Sequence, residues 1–94
     1  MFGSSFSVML KSAEEAITAG RLEEAMAKLD TKEVRDDKRG SEMLARLADA
    51  FLERVRVAEK AGRYSEALFD LQRAAQAGTD PTIIADMRTW IHGL

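Results

Sequence analysis

Ala19-Gly20-Arg21-Leu22-Glu23-Glu24-Ala25 and Ala61-Gly62-Arg63-Tyr64-Ser65-Glu66-Ala67 are two versions of one heptapeptide, with their glycines forty-two positions apart. On the upstream side, Phe6, Met9, Leu10, Ala13, Ala16 and Ile17 recur every three or four residues. Leu44, Leu47, Ala48, Phe51, Val55 and Ala58 do the same before Gly62. That period places each set on one stripe of a helix. Downstream, Leu22, Ala25, Met26 and Leu29 continue the first pattern, and Tyr64, Ala67, Leu68, Leu71, Ala74 and Ala75 continue the second. A glycine between two helical stripes suits the left-handed C′ position, where the chain turns with no Cβ in the way. The spacing therefore predicts two helical hairpins, over residues 5–30 and 41–78.

Between them, residues 31–40 lose the amphipathic pattern. Extending the earlier stripe would bury Lys32, Glu33 and Asp36, and Val34 is the one large apolar side chain in the run. This stretch reads as a charged connector with a short turn of helix around Val34. The next helix starts at Ser41 as N-cap, or one turn earlier at Asp37. After Gly78, Asp80-Pro81 marks another start: an N-cap carboxylate, then a proline at the first helical position, where its missing N–H is not needed. Ile83, Ile84, Met87, Trp90, Ile91 and Leu94 follow, covering an apolar face about 120° wide. A capping helix over 80–93 is expected, with Trp90 as a core anchor. The fold class is all-α, five helices in a single domain over residues 1–94.

Composition agrees and excludes several functions. At 46% hydrophobic and 32% charged the chain is too apolar for disorder, and 94 residues suffice for a core. Fourteen basic residues against sixteen acidic ones give a net charge of −2, which argues against a general nucleic-acid binder. There is no cysteine, hence no disulfide framework or thiol nucleophile. The opening residues carry no basic region and no unbroken apolar run, so neither a secretory signal nor a membrane segment is read, and a cytoplasmic location is expected. His92 is the sole histidine and cannot build a metal site alone. The adjacent carboxylates Glu14-Glu15 and Glu23-Glu24 point about 100° apart on a helix and do not couple. No phosphate loop or nucleophile motif occurs. The expectation is a protein that is not an enzyme, with no cofactor and no metal.

The run Gly62-Arg63-Tyr64-Ser65-Glu66-Ala67-Leu68 with Leu71 and Ala74 resembles the tetratricopeptide-repeat family, and Gly20, Leu22, Ala25 and Leu29 follow the same register. The resemblance implies two tetratricopeptide-like antiparallel hairpins closed by the capping helix, although the offset exceeds that family's usual period of about 34 residues. It also implies a protein-interaction module or scaffold. In such proteins the first helix of each hairpin faces the ligand, which points to Leu10, Glu14 and Ile17 in the first unit and Asp49, Leu52, Arg56 and Lys60 in the second. The family's peptide-carboxylate clamp uses Asn beside Lys, and this chain contains no Asn. Some apolar residues fall off the stripes: Val8, Val57 and above all Phe69. Phe69 is either an intermolecular contact or a side chain covered by the last helix or the connector. A protein partner is thus expected, with homodimerisation as the alternative and neither nucleic acid nor membrane as a ligand.

Overall fold

Gly20 and Gly62 have φ of +81° and +75°, and both stand where one helix ends and the next begins. The computed structural model describes the backbone of residues 2–93 and the side chains of residues 5–93. Among the described residues there are six helices: α1 (Phe2–Thr18), α2 (Leu22–Leu29), α3 (Lys32–Asp36), α4 (Lys38–Lys60), α5 (Tyr64–Gln76) and α6 (Pro81–His92). No strand occurs among them. The chain divides into two compact units, Met1–Leu47 and Ala48–Leu94, with the boundary inside α4.

Unit 1 is built on α1 and α2, which pack together across the Gly20 turn. The turn is hydrogen-bonded at two levels: Arg21 N–H donates to the Ala16 carbonyl at 2.8 Å and Gly20 N–H to that of Ile17 at 3.0 Å. These are the two bonds of a Schellman ending, which satisfy carbonyls left open by the last helical turn. Leu10, Ala13, Ala16, Leu22, Ala25, Met26 and Leu29 are buried, as their spacing requires.

The segment 31–40 differs from the expected connector. The turn expected around Val34 is a full helix, α3, which makes six helices rather than five, and α4 begins at Lys38, the earlier of its two expected starts, with Asp37 ahead of it. Local caps explain both. Thr31 Oγ1 accepts from Val34 N–H at 3.2 Å and starts α3. Ion pairs Lys32–Asp36, at 2.6 Å, and Asp30–Arg35 brace its outer side. Val34 then buries almost completely. Asp37 Oδ1 accepts from the N–H groups of Arg39 at 2.8 Å and Gly40 at 3.4 Å, so Asp37 is the N-cap of α4.

Gly40 has no side chain for a steric reason. A Cβ there would stand 2.1 Å from the Val34 carbonyl oxygen and 2.7 Å from Val34 Cγ1. The backbones of α3 and α4 approach so closely that only hydrogen fits. Two long-range contacts tie α4 to α1: Arg46 to Glu14 at 2.6 Å and Arg39 to Ser7 Oγ at 3.3 Å, with the Arg39 guanidinium 5.2 Å from the centre of the Phe6 ring.

In unit 2 the Gly62 turn repeats the first. Arg63 N–H donates to the Ala58 carbonyl at 2.8 Å and Gly62 N–H to that of Glu59 at 3.0 Å. Neither Arg21 nor Arg63, the N-cap residues that follow the turns, caps its helix through its side chain. Each reaches forward to a glutamate instead, Arg21 to Glu24 at 3.3 Å and Arg63 to Glu66 at 2.8 Å. The heptapeptide repeat is therefore a repeat of hydrogen bonds as well as of letters. Phe51, Val55, Ala58, Ala67, Leu71 and Ala74 are buried.

Helix α6 begins as expected, with Asp80 Oδ1 accepting from Thr82 N–H at 2.7 Å and Pro81 at its start. It packs on α5 through a narrower face than its sequence suggests. Ile84 and Ile91, two turns apart, are buried, Met87 is half-buried and Ile83 is exposed. Trp90 is 52% exposed and is not the expected core anchor. A single neighbouring helix covers one line of side chains, and Ile83 and Trp90 lie on its flank, roughly 80–120° round the wheel from Ile84 and Ile91. Leu94, counted on the same face, lies outside the described residues. Tyr64 likewise remains largely outside, whereas Leu22, its counterpart in unit 1, is buried.

Candidate interaction surface

On the outer side of α5 uncharged side chains run over about two turns, flanked by Glu66 and Arg73. Ser65, Leu68, Phe69 and Gln72 line a shallow depression of about 230 Å³ there. Phe69 is 61% exposed, so neither α6 nor any other described segment covers it. In a chain that is 32% charged, such a neutral strip around an open aromatic ring is a departure from the ordinary solvated helix face.

Behind it sits an ionic cluster. Asp70, one residue on, is the one charged residue among those found buried, with its side chain 7% exposed. Arg54 of α4 meets it with both arms of the guanidinium, Nε to Oδ2 at 2.9 Å and Nη2 to Oδ1 at 2.8 Å. Arg73 adds a third bond to Oδ1 at 3.2 Å. Forked contact of this kind holds both planes rigidly. The same two arginines lie over aromatic rings, Arg54 at 5.4 Å from the Phe51 centroid and Arg73 at 5.9 Å from that of Phe69. A buried carboxylate thus fixes Arg73, and Arg73 in turn lies against the exposed phenyl ring.

Composition and period had not singled out this cluster. Asp70 stands three residues after Ala67 and four before Ala74, where an apolar residue is ordinary. The one available signal was an aspartate on a buried stripe, which demands a cationic partner.

The residues expected at the interface fare unevenly. Leu10 is 6% exposed and belongs to the core of unit 1, a correction to its reading as a contact residue. It shares a helix face with Glu14 and Ile17; Glu14 is exposed but engaged by Arg46, and Ile17 is half-buried. In unit 2, Asp49, Leu52, Arg56 and Lys60 share one side of α4 by their spacing. Asp49, Arg56 and Lys60 are exposed and Leu52 is half-buried. Arg56 is paired with Glu53 at 3.3 Å, the helix-supporting bridge that its spacing predicts. Val8 and Val57, off the stripes of their helices like Phe69, are open to solvent as it is.

Among the described residues no group of three or more His, Cys, Asp or Glu side chains is placed to hold a metal ion. None of their helices is long and apolar enough to cross a membrane. The 23-residue α4 has the length but is studded with charge. No family model matches the chain, and neither the curated proteins nor the solved structures provide a match.

Proposed function

We propose that the chain is a protein-interaction module, acting by contact rather than catalysis, that seats a helix or peptide of a partner protein on the outer face of α5. The observation that carries this reading is Phe69: a large aromatic side chain, open to solvent, in an uncharged strip and held from behind by the Asp70–Arg73 pair. Aromatic side chains in such settings supply most of the energy of protein interfaces. A ring already held in place loses little freedom on binding. The tetratricopeptide-like register supports contact as the mode of action, while the choice of α5, the second helix of its hairpin, rests on Phe69.

A photo-crosslinking residue at Gln72 tests the assignment. Discrete adducts with one partner are expected, and Phe69→Ala should weaken capture by at least about thirtyfold, or about 2 kcal/mol, with helicity unchanged. Equal adduct yield from Phe69→Ala would remove the α5 face from consideration.

A second reading is homodimerisation through the same strip. Its support is the absence of charge: a symmetric contact brings each residue near its own copy, and neutral Ser65 and Gln72 do so without repulsion. Sedimentation decides it, because a concentration-independent monomer excludes the dimer.

A further inference from the structure

A second surface lies in unit 1 and rests on none of the reasoning about Phe69. Ser5, Val8, Met9 and Ser12 of α1 and Lys28 of α2 line a groove of about 430 Å³. The forty-two-residue offset sets Val8, Met9, Ser12 and Lys28 against Ala50, Phe51, Arg54 and Asp70. In unit 2 those positions hold packed groups, with the Phe51 ring and the Asp70 carboxylate buried and the Arg54 guanidinium stacked on one and forked onto the other. In unit 1 a serine replaces the arginine and a lysine replaces the aspartate. The space an arginine would fill is open, and Lys28 makes no ion pair or hydrogen bond among the described residues.

The substitutions run against those expected of a plain solvated surface. Where unit 2 has Ala50, half-buried, unit 1 has the larger and more apolar Val8, 66% exposed. Met9, a flexible side chain suited to irregular contacts, is half-buried beside it. An exposed valine, an adaptable methionine and an unpaired ammonium group around one groove call for apolar cover and one negative charge.

The geometry points to a docking site for an amphipathic helix of a protein partner that presents an aspartate or glutamate beside aliphatic side chains. The aliphatic groups cover Val8 and Met9. The carboxylate meets Lys28, so that an ion pair which unit 2 makes internally is completed in unit 1 from outside, with the cation now on the second helix of the hairpin.

The test uses the full chain labelled with ¹⁵N and two helical peptides of about 16 residues, long enough to hold helix. Both carry the same leucine stripe, and they differ only in having Glu or Lys at the flanking positions. The Glu peptide should shift the amide resonances of residues around Val8, Ser12 and Lys28. The Lys peptide should bind about tenfold more weakly. Lys28→Glu should reverse that preference, and Lys28→Met should abolish it while keeping the bulk of the side chain. Phe69→Ala should leave Glu-peptide binding unchanged, which separates this site from the α5 face. Equal binding of the two peptides to the unaltered protein, or shifts confined to other helices, would overturn the proposal. So would a dimer that Val8→Glu dissociates, because the groove would then belong to a second copy.

Discussion

The two units of this protein start from the same turn and end in different chemistry. Around Gly20 and Gly62 the hydrogen bonds agree to within the rounding of the distances, 2.8 and 3.0 Å in each. About two turns up the preceding helices they part. Unit 2 locks Arg54 onto buried Asp70, whereas unit 1 has Ser12 and Lys28 and leaves a groove. The follow-up to each hairpin differs too: a five-residue helix held against α4 at Gly40 in unit 1, and the twelve-residue α6 in unit 2. Helix ends are set by backbone hydrogen bonds that few sequences can supply, so the turn repeats. Side chains that meet across helices can be exchanged in pairs, so the interior diverges.

The largest expected effect is at Gly40. Gly40→Ala places a methyl group inside the van der Waals radius of the Val34 carbonyl, with backbone rather than a flexible side chain in its way. A loss of about 3 kcal/mol or more is expected in denaturant unfolding, since α3 must leave its place. Near-native stability would show that α3 is not held where it is described. Arg54→Ala comes next. It strips Asp70 of its forked partner and leaves only Arg73, at a cost of about 3 kcal/mol, whereas Ser12→Ala at the matching place should change stability by less than about 0.5 kcal/mol. Similar losses at both positions would erase the contrast.

Gly20→Ala and Gly62→Ala probe what the units share. Each forces an L side chain into the left-handed region without a clash, so each should cost about 1 kcal/mol, and by nearly equal amounts. The double variant Ser12→Arg/Lys28→Asp rebuilds the unit 2 pair in unit 1. Its stability should lie within about 1 kcal/mol of the parent, because a partly buried ion pair gains little over its desolvation, but Glu-peptide binding should disappear from titrations.

The smallest effect is a local pH dependence at the start of α4, in unit 1. Partial desolvation pushes the Asp37 carboxyl up, but the N–H groups of Arg39 and Gly40 and the Arg39 guanidinium outweigh it and hold the group below its ordinary value. A lowered folded value means that the ionised cap stabilises the start of α4 at neutral pH. That contribution is present above the ordinary carboxylate range near 4 and is lost as pH falls through the folded value. Exchange protection of the Arg39 and Gly40 amides should therefore fall on acidification, while the amides of Gly62 and Arg63, which carry no carboxylate cap, should not follow. Parallel losses at both places would point to general unfolding instead.

What the residues determined alone is the part of the structure that depends on near neighbours in the chain. The helical stripes, the reversals at Gly20 and Gly62, the stop at Gly78 and the Asp80-Pro81 start all follow from a 3.6-residue period and from backbone chemistry within one turn. The off-stripe positions of Val8, Val57 and Phe69 were legible for the same reason, but that Phe69 is left uncovered was decided by the tertiary structure. Helix α3 was half legible, as a turn around Val34; its full length needed Thr31 and Asp37 to act as caps for helices whose ends the period does not mark. Tertiary structure decided the remainder. Arg54 and Asp70 stand sixteen residues apart on different helices, and the need for glycine at position 40 exists only once α3 lies against α4. Trp90 shows the limit most directly. A helix records which of its faces is apolar, but how much of that face a neighbour covers depends on the neighbour.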